Sequence, residues 1–168
     1  MIYQHYIKRW LDIFFAFLLL IILALPLLGI SLLILITDGR PIIFKQARPG
    51  QHEKIFILTK FRTMRIQTTQ TTTDELDELR LTRVGRILRK LSLDELPELF
   101  NIIKGEMSFV GPRPLLPEYL PYYRSDERAR HDLLPGLTGL AQVNGRNRLD
   151  WDQRLATDCY YVHHCSFW

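Results

Sequence analysis

The chain has 168 residues, with 22 Lys and Arg against 18 Asp and Glu, a net charge of +4 and a pI near 9.2. That length suits one compact unit, and the positive balance admits anionic lipid, phosphorylated substrates or nucleic acid without choosing among them. Cys159 and Cys165 are the only two cysteines; they cannot staple a secreted scaffold and are read as free thiols in a reducing compartment.

Ile13 to Ile36 carries no charged residue. As an unbroken helix it would be about 36 Å long, enough to cross the hydrocarbon core. It is longer than a secretory signal core, and Thr37-Asp38-Gly39-Arg40 after it offers no small-residue cleavage site. Pro26 lies near its middle, where it deletes a backbone donor and collides with the preceding turn, and Gly29 follows. Cations stand on both sides, Lys8 and Arg9 before, Arg40, Lys45 and Arg48 after, whereas a simple span concentrates them on one side. Lys8, Arg9 and Pro26 therefore predict a kinked, re-entrant helix that leaves on the face it entered, an ordinary span with a tolerated proline being the competing reading. This divides the chain into a membrane segment, 1–38, and a cytoplasmic unit, 39–168.

Ile42–Gln46 and Lys54–Leu58 are short β-rich runs on either side of Arg48-Pro49-Gly50, where Pro then Gly suits a type II turn. They predict a small hairpin, which Lys60 and Arg62 continue with cations close to the membrane. Gln67–Thr73 is a low-complexity Thr/Gln stretch that reads as a loop. From Leu81, apolar residues at 81, 84, 87, 88 and 91 recur at helical spacing, with Arg80, Arg83, Arg86, Arg89 and Lys90 on the other side. A basic amphipathic, interfacial helix is expected there.

Immediately downstream, Ser92-Leu93-Asp94-Glu95-Leu96-Pro97-Glu98-Leu99 sets three carboxylates beside those cations. Acids and bases so placed can hold a divalent metal and a phosphate ester together, as phosphoryl transfer requires. With Asp94 as N-cap, Pro97 falls at the third helical position, where its missing N–H is harmless, and Gly105 stops the helix after Lys104. Ser92 as cap with Glu95 completing a capping box is the alternative, and it puts Pro97 in the helix interior. In either register Asp94 and Glu95 sit at the positive end of the helix dipole, suited to a metal ligand or nucleophile; pure capping is the bland reading.

Met107–Val110 predicts a buried strand running into Gly111-Pro112-Arg113-Pro114, whose two prolines aim Arg113 as a diphosphate or base clamp would need, or simply stiffen a surface turn. Pro135–Leu140 and Asn144–Asn147 form a Gly-rich run whose amides can approach an anion, although it matches neither common nucleotide fingerprint. Cys159, His163, His164 and Cys165 invite a zinc reading, but their spacing matches no usual finger and the aromatic neighbours favour core or interface.

Together these stretches resemble one family, the bacterial sugar transferases, also called monotopic phosphoglycosyl transferases. The resemblance is carried by Lys8-Arg9 before the broken helix, Gln46–Gly50, Lys60–Met64, Leu91–Leu99, Gly111–Pro114 and Pro135–Asn147, in family order. Glu118–Pro121 with Arg130-His131-Asp132 looks most like the undecaprenyl phosphate N,N'-diacetylbacillosamine 1-phosphate transferases. The resemblance implies an α+β monotopic membrane protein that takes sugar-1-phosphate from a UDP-sugar to polyprenyl (undecaprenyl) phosphate, releasing UMP, with Mg2+ as cofactor. That is the first membrane step of glycoconjugate assembly, on the cytoplasmic face of the bacterial inner membrane, and it brings downstream glycosyltransferases in as partners.

Carried onto this chain, Asp94 is the nucleophile and a metal ligand, and Glu95 its partner in proton handling or metal positioning. Arg89, Arg113 and Arg146, with Lys60 and Arg62, are the substrate-binding candidates. The resemblance also implies an amphipathic segment past Ser166-Phe167-Trp168, so a truncated form is expected. A basic membrane-surface scaffold without catalysis is the competing function. A polytopic transferase would need several apolar segments where one exists, and nucleic-acid binding is not expected, because the basic residues are not interleaved with stacking aromatics.

Overall fold

A computed structural model of the chain describes residues 7–65, 80–145 and 149–166; the Thr/Gln stretch at 67–73 and Arg146 lie outside them. Helix α1 (Lys8–Ile22) and helix α2 (Ala24–Thr37) meet at a 63° bend. No single described helix is long and apolar enough to cross a membrane. The bend lies at Leu23, with φ −90 and ψ 6, three residues before the proline. The proline ring cannot sit against an unbroken preceding turn, so the chain restarts and Pro26 falls in the first turn of α2, where no donor is needed.

Strand β1 (Ile43–Pro49) and strand β2 (Ile55–Phe61) form the expected hairpin, paired from Ile43 opposite Phe61 to Pro49 opposite Ile55. The turn differs from expectation. Pro49 is the last residue of β1, Gly50 is extended rather than left-handed, and a 3-10 turn over Gln51–Glu53 makes the connection, with positive φ at His52 and Glu53. Gly50 sits in a tight place instead: a Cβ there would stand 3.1 Å from both the Lys54 carbonyl and the Phe56 ring, so those neighbours would have to give way slightly.

Helix α3 (Arg83–Lys90) begins at Thr82, whose hydroxyl accepts the Gly85 N–H at 2.8 Å. Its Leu88 is buried against Ile34 of α2 and Phe61 of β2, while Ile87 and Leu91 remain exposed. The next segment corrects the capping assignment. Leu93–Glu95 is a separate 3-10 turn entered through a left-handed Ser92, and helix α4 (Glu98–Lys104) starts after Pro97 with no side-chain cap from Asp94. Proline again opens a helix rather than sitting inside one, and this frees the Asp94 carboxylate from capping. Gly105 ends α4 at φ 90, as expected.

Strand β3 (Ser108–Val110) lies parallel to strand β4 (Gly136–Thr138), and the chain closes with helix α5 (Leu140–Asn144) and helix α6 (Trp151–His164). The glycines of 135–140 serve this crossing: a Cβ on Gly136 or Gly139 would collide with the backbone of Gly111. Close chain packing is what these two glycines permit here. The architecture is α+β, with Phe56 and Leu58 of β2 sharing one core with Ala16 of α1 and with Leu99, Ile102 and Met107 on the α4 side. Buried Asn101 locks α4 to β2. Its Oδ1 accepts from the Thr59 amide (3.2 Å) and hydroxyl (2.7 Å), and its Nδ2 donates to the Ile57 carbonyl at 2.7 Å.

Candidate active site

The 3-10 turn at 93–95 presents its two acids to a cleft of about 1010 Å3, walled by β1, β2, the end of α3 and the Arg113 loop. Lys60 reaches in from β2 and bridges two carboxylates, Glu95 Oε1 at 2.8 Å and Glu98 Oε1 at 3.1 Å. Arg113 donates to the same Glu95 oxygen at 2.7 Å, which leaves Oε2 outside the pairing. Asp94 is buried and, among the described residues, has no ion pair within 4.0 Å.

These surroundings separate the three acids. Burial pushes Asp94 above the usual carboxylate range, with Lys60 only partly opposing it. Burial works on Glu95 as well, but Arg113 and Lys60 outweigh it and hold that acid below its ordinary value. Glu98 is the most enclosed, and desolvation carries it up to about 7 despite Lys60. The cleft thus presents a clamped carboxylate, Glu95, and, among the described residues, an unpaired one, Asp94, with Glu98 enclosed behind Lys60.

The other sequence-derived residues fall in distinct places. Arg89 lies in the last turn of α3 on the cleft wall, its Nε donating to Thr63 Oγ1 at 2.9 Å. Arg62 also lines the cleft, but its guanidinium donates to the carbonyls of Asp38 (2.5 Å), Gly39 (2.8 Å) and Arg40 (2.8 Å), tying β2 to the exit of α2. Lys8 and Arg9 turn inward. Lys8 pairs with Asp12 at 3.1 Å and contacts Ser108, while Arg9 donates to the Ile102 and Ile103 carbonyls at 2.7 and 3.0 Å.

Sequence reasoning counted Glu98 among the three carboxylates but gave it no role, and did not single out Arg48 or Arg130; Glu98 pairs with Lys60, and the two arginines lie in the cleft wall. Glu98 was open to detection, because it follows Glu95 by three residues and a single Lys60 can meet both. Arg48 and Arg130 carry no such local signal: apart from Gln46, which Arg48 meets two residues away, the contacts that tie them to the Arg113 loop are distant in the chain.

No group of three or more His, Cys, Asp or Glu among the described residues is arranged to hold a metal ion by itself. Asp94 and Glu95 do present hard oxygen donors of the kind Mg2+ takes when one or two carboxylates are joined by substrate phosphate oxygens and water. The residues present fit that mode of binding.

The sequence profile of the bacterial sugar transferases matches residues 3–168. The chain belongs to that family. This transferase is 45% identical over 161 residues to the uncharacterized sugar transferase EpsL of Bacillus subtilis, covering 96% of this chain and 80% of that one. It is 39% identical to the undecaprenyl-phosphate galactose phosphotransferase of Salmonella typhimurium, across 98% of this chain and 38% of that protein. With the UDP-glucose:undecaprenyl-phosphate glucose-1-phosphate transferase of Klebsiella pneumoniae it shares 38% identity, over 96% of this chain and 37% of the relative. The chain thus spans less than two fifths of the length of the latter two. These relationships place it among phosphoglycosyl transferases. The sugars in those two names are galactose and glucose, so they add nothing to the likeness to diacetylbacillosamine transferases.

Proposed function

We propose that the transferase moves sugar-1-phosphate from a UDP-sugar to polyprenyl phosphate, yielding polyprenyl-diphosphate-sugar and UMP. The observation that carries this reading is the contrast within one cleft between Asp94, buried and without an ion pair among the described residues, and Glu95, already neutralised by Lys60 and Arg113. Asp94 is the group left to react. Its raised pKa makes its ionised form a stronger nucleophile than an ordinary surface carboxylate. An Asp94 oxygen attacks the sugar-bearing phosphorus, the bond from that phosphorus to the bridging oxygen breaks, and UMP leaves with the electron pair. A phosphate oxygen of the lipid acceptor then attacks the same phosphorus and restores the Asp94 carboxylate.

The residues around Asp94 fit this chemistry. Arg113 and Arg89 offer planar donors to phosphate oxygens, and Lys60 a point charge beside them. Mg2+, held through Asp94 and Glu95, would neutralise diphosphate charge and orient the donor when bound. The outer faces of α1 and α2 favour a bilayer location. Phe14, Phe17, Ile21, Leu25 and Ile36 are all exposed, an apolar surface too extensive for water. In this reading the bent pair enters and leaves the cytoplasmic face of the bacterial inner membrane, and 39–168 works above that face.

The test is UMP release from enzyme and UDP-sugar without acceptor, together with mass analysis of the Asp94 peptide. A stoichiometric burst and a phosphosugar adduct are expected. UMP appearing only with polyprenyl phosphate, and no adduct trapped, would establish direct transfer instead.

A further inference from the structure

Arg113 is held from behind. Arg130, in the 3-10 turn Glu127–His131, donates from Nη2 to the Arg113 carbonyl at 2.8 Å and to Asp158 Oδ2 of α6 at 2.8 Å, and from Nη1 to the Tyr123 hydroxyl at 3.0 Å. Arg48 of β1 holds the next carbonyl, that of Pro114, at 3.1 Å. Arg130 and Asp158 are each only 2% exposed.

A buried ion pair is seldom more stabilising than apolar side chains of the same volume, so stability alone does not account for a guanidinium here. What an apolar side chain cannot do is donate to the Arg113 carbonyl. Pro112 and Pro114 stand on either side of Arg113, and proline at 114 confines residue 113 to extended conformations. Within that range the orientation of the Arg113 peptide plane is the soft variable, and it sets where the guanidinium meets Glu95. Arg130 fixes that plane.

We propose that Arg130 is a positioning residue for the transfer reaction, acting through the Arg113 carbonyl, with Asp158 as the anchor that brings α6 into the site's mechanics. What Arg113 does to substrate rests on the function proposed above; the coupling of Arg130 to Arg113 does not. Arg130 lies in the cleft wall but is 2% exposed, and its Nη groups donate to protein acceptors, so it acts through the protein.

Two measurements on the full chain in lipid nanodiscs test this. The first is the Nε–H resonance of Arg113, identified by its loss in Arg113→Lys. It is expected to be sharp in the wild type and lost or broadened in the double variant Arg130→Met/Asp158→Leu, which removes both buried charges and keeps a melting temperature close to the wild type. The second is steady-state UMP release. Arg130→Lys is expected to lower kcat about tenfold or more while KM for the donor moves less than about threefold. Combined with Arg113→Lys it is expected to cost no more than Arg113→Lys alone, and the Met/Leu double variant is expected to stay slow despite its stability.

A sharp Arg113 signal in that double variant, multiplicative losses with Arg113→Lys, or activity that returns with the melting temperature would each overturn the proposal. Should the wild type release no UMP, the reaction assignment fails while the Arg113 resonance still decides the positioning role.

Discussion

Asp94 and Glu95 are neighbours in the chain, yet their surroundings push them in opposite directions, Asp94 up through burial and Glu95 down through Arg113 and Lys60 despite burial. The 3-10 turn that carries them separates their side chains, so that one meets two cations and the other none within ion-pair distance among the described residues. Vicinal acids thereby stand in opposite electrostatic settings, which suits the different tasks proposed for them.

Neutralising each acid in turn separates those tasks. Asp94→Asn is expected to lower UMP release by roughly a thousandfold or more, as loss of a nucleophile does. Glu95→Gln leaves the nucleophile in place and loosens Lys60 and Arg113, for a loss on the order of ten- to a hundredfold. Equal losses in the two variants, measured by initial rates at saturating donor, would contradict the division.

Glu98 supplies a pH dependence of stability. Its pKa rises from 4.5 to about 7 on folding, so the folded state binds the extra proton more tightly. The contribution is complete below the unfolded value, declines as pH rises through that window and is gone above about pH 7, with a span on the order of 3 kcal/mol. The melting temperature is expected to fall between pH 5 and pH 8 in the wild type and to fall less in Glu98→Gln. Parallel slopes in both proteins would assign the dependence to other groups.

Chelation tests the metal assignment. Asp94, with no ion pair among the described residues, repels a diphosphate unless a further cation intervenes. Activity is expected to disappear in excess EDTA and to return with Mg2+ or Mn2+. Full turnover in chelator would leave the cations of the cleft as the whole of the charge compensation.

The path of α1 and α2 is open to chemical labelling. In a background with Cys159 and Cys165 replaced by Ser, single cysteines at Tyr3 and Thr37 are both expected to resist an impermeant reagent added outside intact cells. Pro26→Leu removes the reason for the 63° break and is expected to shift some molecules to a spanning form in which one of the two sites labels.

Asn101 tests how the site is held together. Truncation to Ala leaves the Ile57 carbonyl and the Thr59 amide without their buried partners, and a loss of about 2–4 kcal/mol of stability is expected from chemical denaturation. A change below about 0.5 kcal/mol would show that α4 is positioned by apolar packing alone.

Most of the architecture was legible because it is written in local patterns. The hairpin shows in two β-rich runs around Pro49-Gly50, α3 in the spacing of Val84, Leu88 and the arginines, and the stop of α4 in Gly105. The start of α4 was misplaced because both registers, Asp94 or Ser92 as cap, took the segment as one helix, whereas it breaks into a 3-10 turn at 93–95 and a helix that begins after Pro97. Of the site, Asp94 and Glu95 were read together from their shared run, and Lys60, 35 positions before Glu95, joins them only in three dimensions. What had no local signature was the support behind Arg113, where Arg130 and Asp158 stand 28 positions apart and meet only in three dimensions. The inward turn of Lys8 and Arg9 was equally hidden, since a basic pair before an apolar run reads the same whether it faces lipid headgroups or a helix end.

That inward turn has a consequence for how the protein is made. Arg9 closes the carbonyl end of α4, the Asp12 carboxylate receives the Phe109 amide at 3.3 Å, and Ala16 lies in the same core as Leu99 and Ile102. At the other end, Arg62 grips the backbone of residues 38–40. The bent pair is thus a structural wall of the enzyme as well as its anchor. Deleting residues 1–38 to obtain a water-soluble catalyst would strip that wall away and leave Leu99, Ile102 and Met107 facing solvent, so the expected product is an aggregate. If the bent pair enters a bilayer as proposed, completing the fold around the active site and inserting the pair are expected to be coupled, so a chain without a membrane would lack a finished site.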